Sequence, residues 1–195
     1  MRRSIRLHRY DYTFPGDYFV TVVCQDRQCL FGEVVGGVVQ LSVLGTIVRE
    51  EWFRSPLVRP YLQLETDELV VMPNHIHGII RIMADDVVGA QRRCAPTTHA
   101  SQPRVIARSL GAIVRAFKSS TTRRINRLRS EPGSPLWQRN YFEHIIRNEE
   151  ELARIRQYII DNPLQWQLDR EHPGASHPSS PSSEEPWREI LERTR

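Results

Sequence analysis

The sequence predicts an α+β chain. Runs rich in β-branched and aromatic residues precede residue 84, and apolar stripes of helical period follow residue 104. Glycine and proline punctuate the joins between them. Residues 17–24 (Asp-Tyr-Phe-Val-Thr-Val-Val-Cys) read as a strand. Gly36-Gly37 marks a hairpin into a short strand over 38–41. Residues 44–52 form a helix, with Leu44, Ile47, Val48 and Trp52 on one face. Residues 62–72 are strand-like, Pro73-Asn74 turns the chain, and 75–83 (His-Ile-His-Gly-Ile-Ile-Arg-Ile-Met) form another strand. Residues 84–103 lose periodicity and read as a long loop or an insertion. Helical spacing returns over 105–129, where Ile106, Leu110, Ile113, Val114 and Phe117 make one stripe. Residues 130–135 are a loop, and 136–146 are mixed in character. Asn148 caps a helix whose first turn, Glu149-Glu150-Glu151, suits the helix dipole. That helix ends near Asn162 because Pro163 follows. The expected organisation is one domain over 1–168 and a Pro/Ser-rich, disordered tail over 169–195, in which 187–195 read as a short helix.

Bulk properties narrow the function. The chain has 195 residues, 39% of them hydrophobic, and a formal net charge of +4. No apolar run reaches the roughly 20 residues of a membrane helix. The basic start, Met1-Arg2-Arg3, leads into no apolar segment of a secretory signal. A cytoplasmic protein is expected, nucleoid-associated when on DNA. The three cysteines, Cys24, Cys29 and Cys94, form no C-x-x-C pair and read as free thiols. Lys118 is the only lysine, so arginine carries nearly all the positive charge.

Four groups of residues could carry chemistry. His75 and His77 lie two apart on a strand, so both leave the same face and form half of a metal site. Tyr158 and Asn162 lie four apart on one helix face, beside the stripe of Leu152, Ile155 and Ile159. Residues 104–129 carry eight basic side chains and no acidic one: Arg104, Arg108, Arg115, Lys118, Arg123, Arg124, Arg127 and Arg129. A one-signed helix face suits phosphate, since solvated faces mix signs. Residues 137–144, with Trp137, Arg139, Tyr141, Phe142, Glu143 and His144, either stack unpaired bases or plug the core.

Taken as an ordered set, these residues resemble a known family. His75-Ile76-His77 matches the His-apolar-His pattern of HUH nucleases. Tyr158-Ile159-Ile160-Asp161-Asn162-Pro163 is similar to the Tyr-x-x-x-Asn-Pro segment of single-tyrosine HUH transposases, in particular the REP-associated group. Trp137-x-Arg139, Glu143-His144 and the opening Gly16-Asp17-Tyr18-Phe19 resemble that group too, over roughly residues 6–166. The resemblance implies a ferredoxin-like antiparallel sheet with helices on one face. It implies a divalent metal, Mg²⁺ or Mn²⁺, on His75, His77 and Asn162, with Asp161 as a fallback ligand. It implies Tyr158 as a nucleophile that cuts single-stranded or hairpin DNA through a 5′-phosphotyrosine. Arg104, Arg108, Arg115, Lys118, Arg123, Arg124, Trp137 and Arg139 are the DNA-holding candidates. Glu143 and His144 are candidates for organising the site. Insertion-sequence relatives are dimers that share the tyrosine helix, whereas the REP-associated group acts as monomers; either state is open here. The 84–103 loop and the tail depart from the family's core.

Two other readings stay in view. One is an exapted, non-catalytic nucleic-acid binder of the same fold. The other is an unrelated two-histidine metalloenzyme such as a non-haem iron oxygenase, which needs no basic helix.

Overall fold

The structure, a computed structural model, describes residues 11–84, 108–169 and 171–174. Arg104, nearly all of the 84–103 loop, and the tail beyond 174 lie outside the described residues. The described elements are seven strands and three helices. The strands are β1 Gly16–Val23, β2 Gly32–Val35, β3 Val38–Leu41, β4 Leu62–Gln63, β5 Leu69–Val71, β6 His75–Ile82 and β7 Phe142–Ile146. The helices are α1 Val43–Val58, α2 Leu110–Arg129 and α3 Glu149–Asp161.

The main sheet is antiparallel, in the order β4-β6-β1-β7, and β5 also pairs β6. β2 and β3 form a separate hairpin, turned by Gly36 (φ 59) and Gly37 (φ 78), the left-handed pair a two-residue turn requires. The long strands alternate cleanly between faces. Tyr18, Val20 and Val22 of β1, with Ile76, Ile80 and Ile82 of β6, pack against Trp52 of α1 and Leu110, Ile113, Val114 and Phe117 of α2. The opposite face carries Phe19 and Ile79, which meet Leu152, Ile155 and Ile159 of α3. α1 and α2 therefore share one face, while α3 lies across the other. Gly78 allows the first packing: a Cβ there would lie 2.5 Å from Trp52 Cζ2. Among the described residues no helix is long and apolar enough to cross a membrane.

Each helix begins at a side-chain cap: Ser42, Ser109 and Asn148 accept from the backbone N–H three residues on. Several elements differ from the sequence expectation. α1 runs six residues past Trp52, with Pro56 in its last turn, two residues before the helix ends. The strand-like run 62–72 breaks at a 3-10 turn, Thr66–Glu68, because Glu68 turns inward to bind arginine. α2 starts at Leu110, since Ser109 caps it and Arg108 takes a positive φ of 73°. Within the mixed run 136–146, β7 forms beside β1.

Candidate active site

His75 and His77 project from the central strand β6 onto the α3 face, with Thr21 of β1 opposite His77. Both are buried, at 0% and 3% exposure. Their Nε2 atoms lie 3.0 Å apart. The other ring nitrogens are occupied: His75 Nδ1 lies 2.8 Å from Asn74 Oδ1, and His77 Nδ1 lies 2.8 Å from Thr21 Oγ1. The Asn74 amide is oriented by two backbone carbonyls, since its Nδ2 donates to Arg27 O (3.1 Å) and Glu171 O (2.7 Å). Its Oδ1 can then only accept, so His75 carries its proton on Nδ1 and leaves Nε2 bare. Burial pushes the His75 pKa down to about 3 and holds His77 well below the usual range, helped by His75 beside it. The pair is neutral at physiological pH, the form that ligates metal.

α3 brings the tyrosine to this pair. The Tyr158 hydroxyl lies 3.2 Å from His77 Nε2, and its ring packs edge-on to Phe19, 6.0 Å between centroids. The helix is fixed at two further points. Glu68, fully buried, accepts from Arg156 Nε (2.9 Å) and Nη2 (2.6 Å). His144 Nε2 meets Glu151 Oε1 at 2.7 Å. The Tyr158 pKa is raised, first by burial, then by the nearby Asp169 charge; Asn162 opposes this through a hydrogen bond, and Glu171 adds to it. The nucleophile expected from the sequence is thus held protonated in the resting chain.

Beyond α3 the chain turns through a 3-10 segment, Asn162–Leu168, and folds back over the histidines. Asn162 is 3% exposed, and its Oδ1 has no hydrogen-bond partner among the described residues. Its Nδ2 donates to Asp169 Oδ2 at 3.3 Å. Asp169, placed by the sequence in the disordered tail, joins the site: its Oδ2 lies 3.7 Å from His75 Nε2. His75, His77 and Asp169 offer ligand atoms all within 4.8 Å of one another. Asp161, the fallback ligand, instead accepts from Gln157 Nε2 on the helix surface, 2.9 Å away.

The donor set fits a hard divalent ion. Octahedral ligands at about 2.1 Å from such an ion lie about 3.0 Å apart when adjacent, the spacing of the two Nε2 atoms. The buried, unsatisfied Asn162 oxygen is the further observation that points to a cation.

No protein-family model matches the chain. An uncharacterized protein of Haemophilus influenzae is 41% identical over 170 residues, covering 87% of this chain and 92% of that one. A second protein of the same organism, named a REP-associated tyrosine transposase, is 30% identical over 159 residues, covering 80% of this chain and 75% of its own. The chain belongs to the REP-associated tyrosine transposase family. The fold agrees: a solved REP-associated tyrosine transposase bound to a REP hairpin superposes with a TM-score of 0.54 at 19% identity, over 85% of this chain and 76% of that one.

The basic residues of this transposase divide into two groups. Arg115, Arg123 and Arg127 of α2, with Arg139, line an open groove of about 1470 Å³ on the α1/α2 side of the sheet. Three other candidates are engaged within the fold. Lys118 donates to the carbonyls of Gln138 (2.5 Å), Arg139 (3.1 Å) and Asn140 (3.5 Å), and burial lowers its pKa to about 8, so it staples this loop to α2. Arg124 pairs with Glu50 (2.5 Å) and Glu51 (3.3 Å) and joins α2 to α1. Trp137 is 6% exposed, packs between Phe31 and Phe117, and donates from Nε1 to Thr121 Oγ1 at 2.8 Å. It is a core residue, so its ring offers no stacking face. Arg108 lies over the Tyr61 ring, 4.5 Å from the centroid. Glu143 is buried on the α2 face of β7, away from the histidines, whereas His144 faces α3 and holds it through Glu151.

Proposed function

We propose that this chain is a single-stranded DNA endonuclease and strand transferase with Tyr158 as its nucleophile. The observation that carries the reading is the meeting of the Tyr158 hydroxyl with the His77–His75 pair, 3.2 Å and 3.0 Å along the chain of contacts. His75, His77 and Asn162 would hold Mg²⁺ or Mn²⁺, which polarises a phosphate oxygen and offsets developing charge when bound. Tyr158 Oη gives up its proton and bonds to phosphorus as the bond to the 3′ oxygen breaks. That oxygen takes up a proton and leaves as a free 3′-hydroxyl. The 5′-phosphotyrosine keeps the ester energy, so attack by a 3′-hydroxyl rejoins the strand without a nucleotide cofactor.

The groove with Arg115, Arg123, Arg127 and Arg139 suits the phosphates of a hairpin stem by its charge. It lies on the sheet face opposite the histidines, and β7 is the edge strand between the two sides. A single strand leaving the stem would round that edge past Arg139 to reach Tyr158. Tyrosine and histidines belong to one chain, which supports action as a monomer.

The test is a denaturing gel of the protein with labelled hairpin DNA from repeats flanking its own gene, in Mn²⁺, Mg²⁺ or EDTA. A metal-dependent covalent adduct, absent in Tyr158→Phe, is expected. Binding without cleavage in either metal would favour the exapted binder. An adduct in Tyr158→Phe would overturn the assignment of the nucleophile.

A further inference from the structure

We infer that Asp169 is a further ligand of the divalent ion, carried to the histidines by a latched strap of residues 162–169 and 171–174. The inference rests on the metal-site reading above and adds a carboxylate that lies outside the Tyr-x-x-x-Asn segment. Charge is the first argument. Histidine ligates as neutral imidazole and Asn162 is an amide, so those three would leave a divalent cation uncompensated in a buried site. Among the described residues Asp169 is the one carboxylate grouped with the pair.

Geometry is the second argument. Asp169 Oδ1 accepts the Glu171 N–H at 2.6 Å, which leaves Oδ2 directed to His75 Nε2 and the Asn162 amide. A ligating carboxylate is commonly oriented in this way by a hydrogen bond to its other oxygen. A latch holds the strap in place. Glu171 Oε2 accepts from Arg27 Nε at 2.7 Å, and Glu171 O accepts from Asn74 Nδ2 at 2.7 Å. Trp166 covers the His75 ring at 6.0 Å and meets His172 at 4.8 Å. Asn74 thus touches both the strap and His75: its Nδ2 donates to Glu171 O and its Oδ1 meets His75 Nδ1.

The test uses the full, metal-stripped chain and Mn²⁺ as the probe. Calorimetric titration compares wild type with Asp169→Asn and His77→Ala, each checked for folding by circular dichroism in EDTA. Wild type is expected to bind one Mn²⁺, His77→Ala to lose binding, and Asp169→Asn to bind at least about tenfold more weakly. Hydrogen exchange of the wild-type peptide 162–174 provides a readout that needs no variant; Mn²⁺ is expected to slow it. If Asp169→Asn binds as tightly as wild type while His77→Ala does not bind, Asp169 is no ligand and the two-histidine site stands. If Mn²⁺ binds but leaves exchange of 162–174 unchanged, the strap is not held by the ion and the inference fails. If wild type binds no Mn²⁺, the metal-site reading falls and takes the inference with it.

Discussion

Glu68 should be the side chain whose loss most loosens the tyrosine helix. It is fully buried, and it receives two hydrogen bonds from Arg156 of α3 and a longer one, 3.5 Å, from Arg81. Hydrogen bonds to charged groups contribute about 1.5–3 kcal/mol each, so the Arg156 pair is worth about 3–6 kcal/mol before compensation. Two features reduce that figure in Glu68→Gln. Arg156 is 35% exposed and regains water, and Arg81 keeps Asp17 at 2.7 Å. A net loss of about 2–4 kcal/mol follows, near the lower end for breaking a buried pair. For a chain of this size that is a fall in Tm of roughly 5–12 °C, read by thermal unfolding in EDTA. Arg154→Met is the control. Its partner Glu150 is 76% exposed and Arg154 itself 38%, so less than about 1 kcal/mol is expected. A Tm drop under about 2 °C for Glu68→Gln, or one no larger than the control's, would refute the claim that this ion pair anchors α3.

Four further outcomes follow from the same geometry. Gly78→Ala should lose about 1–3 kcal/mol, because its Cβ would press on the Trp52 indole; chemical denaturation measures it. Thr121→Val should lose about 1–3 kcal/mol by leaving the Trp137 N–H buried without an acceptor, again by denaturation. His75 has a folded pKa depressed to about 3, so between about 3 and 6.5 the unfolded chain binds the extra proton and stability falls as pH falls. In metal-free protein this one histidine should account for about 2 kcal/mol of the loss between pH 7 and pH 5, a difference that His75→Gln should remove. Replacing Arg115 or Arg123 by Ala should weaken hairpin binding and lower the salt slope by about one phosphate each. Arg124→Ala should leave that slope unchanged, since Arg124 is committed to α1.

Much of this architecture was legible in the residues because local and global signals agree. β1 and β6 alternate apolar side chains on both faces, the Gly36-Gly37 turn supplies its own positive φ, and Asn148 with three glutamates opens α3. The site was legible where it depends on spacing within one element: His75 with His77, and Tyr158 with Asn162. It was hidden where it depends on tertiary return of the chain. Asp169 and Glu171 reach the histidines only after the 3-10 turn that Pro163 permits, a path that no periodicity marks. One signal was available: the Pro/Ser-rich composition begins at His172, so a boundary at 168 separates Trp166 from residues that share its surroundings. The basic helix was legible only as a charge pattern, for a related reason. Charge sign along a sequence cannot distinguish Arg123, which lines the groove, from its neighbour Arg124, which faces Glu50 and Glu51.

If Tyr158 is the nucleophile, as proposed, the electrostatics of the site restrain it until positive charge arrives. Tyr158 is kept protonated by burial and by the charges of Asp169 and Glu171. Neither histidine relieves this, because burial keeps both neutral. A tyrosine near its ordinary pKa of about 10 is already a costly nucleophile at neutral pH, and here the resting environment raises that cost. With a divalent cation on the histidines, as proposed, the same features would change sign of effect. Neutral imidazoles would bind it with no charge to lose, and the carboxylate that opposes tyrosinate formation would be neutralised. Asp169 would then restrain Tyr158 without the cation and support the cation when it is bound. On this argument Asp169→Asn should lower the Tyr158 pKa in metal-free protein while weakening Mn²⁺ binding. Ultraviolet tyrosinate titration of that variant, against a Tyr158→Phe baseline, reads the first effect. An unchanged Tyr158 titration would show that burial alone restrains the hydroxyl and that the carboxylate plays no part in it.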